Sequence, residues 1–170
     1  KRDAALGIQD GDTDDVRRFL TLDGLSVEER MQGLEVMFGE MMALVANLSS
    51  QVLDELDSHL LVCPQGTRSK RLIQGKTGMI QMAQNMGAVI VPVGCNGSDR
   101  LYPGASPFSK GGRVVYRIGE PLPVDSGPLA PYRVPSEVIP FSRSAGTLYG
   151  DKYRIMTDIV MARINDLLDQ

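Results

Sequence analysis

Tryptophan is absent, aromatic residues make up 5% of the 170 residues, and the chain has one histidine and two cysteines. Each scarcity removes a class of chemistry. So few aromatics, none interleaved with the basic residues, argue against nucleic acid as a partner, because base stacking needs an aromatic platform. One histidine and two cysteines cannot assemble an ordinary four-ligand zinc site. Cys63 and Cys95 are too few for a disulfide scaffold and read as buried thiols of a reducing compartment. His59 and Cys63 are four residues apart; on a strand that is about 13 Å, too far for a nucleophile–base dyad. No Gly-x-Ser-x-Gly elbow is present, which sets aside a serine hydrolase of that type. No uninterrupted apolar run approaches the roughly 18–20 residues that span a bilayer, so run length predicts no transmembrane helix. The opening Lys1-Arg2-Asp3 carries no signal-peptide pattern and no initiating Met, and it predicts a segment of a longer protein.

What remains is globular in composition. Apolar residues account for 42% and charged residues for 23%, and the length suits one domain. The net charge of −3 is unevenly laid out. Residues 1–58 hold 5 Lys/Arg against 13 Asp/Glu, and residues 119–170 hold 5 against 7. Residues 59–118 hold 8 basic residues (Arg68, Lys70, Arg71, Lys76, Arg100, Lys110, Arg113 and Arg117) against the single acid Asp99. A block this basic in an acidic chain predicts a compact anion, such as a phosphate, held there. Lys110 and Arg117 read as charges that solvate loops.

Residues 1–24 are polar and read as loop, with one short helix near Val16–Leu20. Asp10, Asp12 and Asp14 mimic a calcium loop but lack the Gly and Glu that an EF-hand requires. A long helix follows. Ser26 and Glu29 form a capping box. Val27, Met31, Leu34, Phe38, Met41, Val45, Leu48 and Val52 recur at spacings of four and three, which lays one apolar stripe along a helix to about Asp57. Such a stripe usually packs on the domain or on a second copy of itself; the rival reading is that its Met-rich middle touches acyl chains or membrane.

Beyond residue 59 the pattern becomes β/α. Leu60–Cys63 reads as a buried strand ended by Pro64, Thr77–Met86 as a helix stopped by Gly87, and Ala88–Val93 and Arg113–Ile118 as two further strands. Strand, helix, strand over about thirty residues predicts a right-handed parallel crossover. The expected fold class is therefore α/β, a mostly parallel sheet flanked by helices with a long helix near the N-terminus. Six prolines between 119 and 150 predict an irregular connection, and an amphipathic helix over 151–168 closes the domain.

The candidate site is the loop Pro64-Gln65-Gly66-Thr67-Arg68-Ser69, at the carboxyl end of the first expected strand, where open α/β sheets place their ligands. Gly66 permits close backbone approach, Thr67 and Ser69 offer hydroxyls, and the planar fork of Arg68 suits a phosphate. Lys76 adds charge near the start of the next helix, whose N-terminus favours anions. The plainer reading of Gln65, Thr67 and Ser69, and the less favoured one, is turn formation alone. A structural ion pair is the plainer reading of Arg68, disfavoured by the shortage of acids nearby. Gly75-Lys76-Thr77 mimics the end of a nucleotide-binding P-loop, but the required earlier glycine falls on Lys70.

These residues carry a resemblance. Leu61-Val62-Cys63-Pro64-Gln65-Gly66-Thr67-Arg68-Ser69 resembles the Phe-Pro-Glu-Gly-Thr-Arg-Ser block of the glycerolipid acyltransferases, the family of 1-acylglycerol-3-phosphate acyltransferase. Lys76-Thr77-Gly78-Met79, Val89-Ile90-Val91-Pro92-Val93, Gly97 and Gly119-Glu120-Pro121 are similar to later blocks of that family. The resemblance implies one acyltransferase-like domain segment over 1–170, with a helical insertion over 26–57, a core motif region over 60–122 and the closing helix over 151–168. The family's His-x-x-x-x-Asp block has no counterpart here, since Pro64 stands five residues after His59, and it is expected upstream. Arg2 would then end the family's second block as an acceptor-binding arginine. Gln65 stands where the family has Glu and keeps the shape without the charge.

The resemblance implies transfer of a fatty acyl group from acyl-CoA or acyl-carrier protein, as co-substrate and without a cofactor, to a hydroxyl of a glycerol-phosphate or lysophospholipid acceptor in phospholipid biosynthesis. Gln65, Gly66, Thr67, Arg68, Ser69, Lys76 and Arg2 would bind the acceptor. The implied partners are the acyl thioester donor, a phosphate-bearing lipid precursor and a membrane touched peripherally from its cytoplasmic side, or through an upstream anchor. Two alternatives stand beside this reading: acylation of another hydroxyl acceptor, and a non-catalytic lipid- or phosphate-binding module.

Overall fold

The computed structural model describes residues 26–66, 71–101 and 108–169. The expected short helix near Val16–Leu20 and the aspartates Asp10, Asp12 and Asp14 lie outside these residues. The chain divides into two compact units, Lys1–Val45 and Ala46–Gln170.

Helix α1, Val27–Asp54, begins in the first unit and ends in the second. Its start is the expected capping box. The Glu29 carboxylate accepts from the Ser26 backbone N–H and hydroxyl, each at 2.8 Å, and the Glu29 N–H donates to Ser26 Oγ at 3.2 Å. The Ser26 backbone N–H, with its hydroxyl second, holds the Glu29 carboxyl below its ordinary pKa. The apolar stripe is not a packed seam: Ala46 is the buried residue of α1, while Val27, Met31, Leu34, Phe38, Met41, Val45 and Leu48 are exposed. Run length and overall composition describe this helix differently. Gly33, Glu35, Gly39, Glu40 and Asn47 interrupt the apolar run, yet by length and composition α1 is apolar enough to cross a membrane.

In the second unit the expected helices and two of the three expected strands are present, but the strands do not pair in the expected parallel way. Strand β1, Val89–Ile90, pairs antiparallel with β4, Leu122–Pro123, and β2, Val93–Asn96, pairs antiparallel with β3, Val115–Ile118. The expected single strand over Ala88–Val93 splits because Pro92 has no N–H to give a ladder. Its carbonyl instead accepts from Gly119 N at 2.9 Å. Leu60–Cys63 is not a strand, and Leu61 is 92% exposed. The crossover required that segment as its first strand; without it, no parallel pair forms among the described residues.

Helix α2, Gly78–Asn85, is close to expectation. Gly87 (φ +61°) turns the chain out, with Gly87 N–H donating to the Gln84 carbonyl at 3.3 Å and Ala88 N–H to Ala83 at 2.9 Å. That pair of bonds is a Schellman end, open to glycine because its positive φ costs glycine little. A short helix α3, Ser98–Leu101, follows β2, and a 3₁₀ turn spans Ala130–Tyr132.

The closing helix α4, Arg143–Asp166, starts well before the expected Asp151. Ser142, extended at ψ 153°, caps it by accepting from Ala145 N at 3.1 Å. Gly146 and Gly150 disguised these first turns, since glycine is a poor helix former; burial of Ala145 overrides that preference.

The core forms where α2 meets α4 and the proline-rich connection. Ile80 and Ala83 join Ala145, Tyr153, Met156 and Val160, with Leu122, Val124, Leu129 and Val134 completing the cluster. Two glutamines staple the connection to α2. Gln81 Oε1 accepts from Phe141 N at 2.7 Å, and Gln84 Oε1 from Val134 N at 2.8 Å. These bonds satisfy backbone groups that a segment without a ladder leaves unpaired.

Candidate functional site

The loop expected to bind the ligand opens on a tight turn. Gly66 N–H donates to the Cys63 carbonyl at 3.0 Å, with Pro64 and Gln65 between them and Gly66 at φ +68°. Pro at the second position and Gly at the fourth suit such a turn. The other end returns to the same place, where Lys76 N–H donates to the Pro64 carbonyl at 2.6 Å. Between these ends the Gln65 carboxamide donates long bonds, 3.4 Å each, to the carbonyls of Arg71 and Ile73. A glutamate at this position would have no donor for either carbonyl. The Gln65 oxygen has no partner among the described residues.

The stem is fixed to α4. Gly75 is buried, and a Cβ there would lie 2.8 Å from Met161 Sδ and 3.0 Å from Thr157 Cγ2. Arg154 donates to the Gly75 carbonyl at 2.8 Å while its guanidinium pairs with Asp158 at 2.8 Å. Gly75 is thus a packing glycine, consistent with the failure of the P-loop pattern. Arg154 was not found by sequence reasoning; it reaches across 79 residues, and nothing in an amphipathic helix marks one arginine as a tether for a distant loop.

Of the expected site residues, Gln65 and Gly66 lie in the turn, and Lys76 supplies its N–H to the stem with an exposed side chain. Lys76 stands two residues before α2. No side chain caps that helix, because the Thr77 hydroxyl accepts from Gln81 Nε2 at 3.3 Å instead. Thr67, Arg68, Ser69 and Arg2 lie outside the described residues. The two thiols are exposed, not buried. Cys95 faces outward because the inner face of β2 belongs to Gly94 and Asn96, and Cys63 sits in extended chain ahead of the turn. That segment is no strand, so the 13 Å spacing assumed for His59 and Cys63 does not apply.

Residues 30–96 match the acyltransferase family model. Neither a curated protein nor a solved structure matches the chain. The matched stretch begins inside α1 and takes in the whole loop and strand β2. The match is consistent with a glycerolipid acyltransferase family and supports acyltransferase activity as the general class.

Proposed function

We propose that the protein transfers a fatty acyl group from an acyl-CoA or acyl-carrier-protein thioester to a hydroxyl of a glycerol-phosphate-type acceptor, with the 64–76 loop gripping the acceptor. The observation that carries this reading is the acyltransferase match enclosing a loop whose two ends are tied together and pinned to α4. Pinned ends let a loop hold an anion without first being ordered around it. In this reading Arg68 makes two charge-assisted bonds to the acceptor phosphate, assisted by the Gly66 backbone, Thr67, Ser69, Lys76 and Arg2. The acceptor hydroxyl is thereby placed against the thioester carbonyl; an upstream histidine takes its proton as the C–O bond forms, and the C–S bond then breaks, the donor thiol leaving with that proton. The exposed apolar surface of α1 supports peripheral contact with a membrane that supplies the acceptor.

Arg68→Ala tests the clamp. The acceptor KM should rise roughly 10–100-fold, the loss expected for hydrogen bonds to a charged group, with kcat and Tm little changed. Arg68→Lys should recover part of the loss, keeping charge without the fork. Equal acceptor KM in wild type and Arg68→Ala rejects the assignment.

A second reading, acylation of an acceptor without a phosphate, is favoured by Gln65, whose neutral amide turns inward to loop carbonyls and leaves one oxygen to accept from a hydroxyl. Assay against glycerol 3-phosphate, lysophosphatidate and neutral polyols separates the two. A protein with no activity on any of them and no His-x-x-x-x-Asp upstream is instead a binding module.

A further inference from the structure

Arg100, Arg113 and Arg117 of the basic central block converge, with Asn96, Gly97 and Asp169, on a groove of about 350 Å³. That volume is at the lower end of what small-molecule sites occupy. One wall is internally satisfied. Asp169 pairs with Arg117 at 2.6 Å, Arg117 and Asn96 both donate to the Leu167 carbonyl (3.1 and 3.0 Å), and Asp169 N–H donates to Asn96 Oδ1 at 2.7 Å. The other wall is not. The side chains of Arg100 on α3 and Arg113 ahead of β3 have no hydrogen-bond or ion-pair partner among the described residues. The two residues are nonetheless held together by backbone. Gly97 (φ +85°) has room for no side chain, since a Cβ would lie 2.6 Å from the Arg113 carbonyl oxygen, and Arg100 N–H donates to the Gly97 carbonyl at 3.3 Å. Three arginines and one aspartate thus line the groove.

We infer that this groove binds a small phosphate-bearing molecule with at least two negative charges, a diphosphate group. Arg100 and Arg113 clamp it, and the Arg117–Asp169 pair forms the preset wall. Two unpaired planar forks match two phosphoryl groups, which a single carboxylate ligand would not fill. The groove differs from the stem of the 64–76 loop: Gly75 rests on Thr157 and Met161 within α4, whereas the groove is lined by β2, α3, β3 and Asp169, which follows the end of that helix. The inference therefore does not rest on the acyltransferase reading. A diphosphate comes either free or as the phosphates of a nucleotide-type thioester donor.

Isothermal titration of the full chain at low salt with inorganic pyrophosphate and with coenzyme A tests this. Binding of at least one probe is expected, weakening steeply with added salt because the guanidiniums are exposed. The double variant Arg100→Ala/Arg113→Ala should lose tenfold or more in affinity with an unchanged Tm. Asp169→Asn, which removes the competing negative charge beside Arg117, should tighten binding severalfold. Coenzyme A binding more tightly than pyrophosphate assigns the groove to the nucleotide donor; equal or weaker binding assigns it to free diphosphate. The inference is overturned if neither probe binds at millimolar concentration. It is equally overturned if binding survives in the double variant, and loss in Arg68→Ala would then place the anion at the loop.

Discussion

Gly94 shows how much one residue decides in this fold. A Cβ there would lie 2.7 Å from both the Leu167 carbonyl oxygen and Leu167 Cβ, so no side-chain rotation relieves the clash. Gly94→Ala should therefore destabilise the protein by about 1–3 kcal/mol, the usual cost of overpacking, read as a fall in Tm. Gly33→Ala is the matched control. No atom lies within 4 Å of a Cβ at that position, and alanine favours an exposed helix, so Tm should hold or rise. Nothing in Val93-Gly94-Cys95-Asn96 announces that Gly94 and Asn96 face the chain after α4, because the partner lies some seventy residues on. Gln65 is the opposite case. Its departure from the family's Glu was legible, and the structure supplies a local use for the amide in closing the loop.

At the scale of elements, the Ser26–Glu29 box ties the start of α1 to pH. The Glu29 carboxyl has a lowered pKa in the folded chain. Its contribution is therefore complete above the ordinary carboxylate value and is lost as pH falls through the lowered one. Amide hydrogen exchange in the first turn of α1 should accelerate, relative to its last turn, on acidification through that range, and Glu29→Gln should remove the pH dependence. No such difference means the box does not hold the turn. The box was readable because it is local, four residues with a fixed chemistry. The Schellman end at Gly87 was readable for the same reason. The strands were readable in part, since Arg113–Ile118 contains β3 and Ala88–Val93 contains β1, but their pairing was not: β1 and β2 are defined by their partners β4 and β3, and apolar runs do not carry pairing direction. Sheet direction was inferred from a strand at Leu60–Cys63 that is not formed.

At the scale of the whole molecule, α1 leaves an apolar surface that a stripe at helical spacing normally buries. If that surface meets lipid, the full chain should co-sediment with phospholipid vesicles. Met37→Glu combined with Leu44→Glu should then lower the bound fraction roughly tenfold, since each change removes a buried apolar side chain worth a few kcal/mol at most. Equal sedimentation of wild type and variant would assign the surface to protein contact instead. The sequence by itself determined the capped helix, α2 and its stop, the amphipathic character of α4, the basic block and the acyltransferase resemblance, because each rests on neighbours within a few turns. Only the tertiary structure decided that the strands pair antiparallel, that Arg154 pins the loop through Gly75, and that Arg100, Arg113 and Arg117 meet in one groove. Those outcomes depend on which distant segments approach, and that is settled by how the core of α2, α4 and the connection closes.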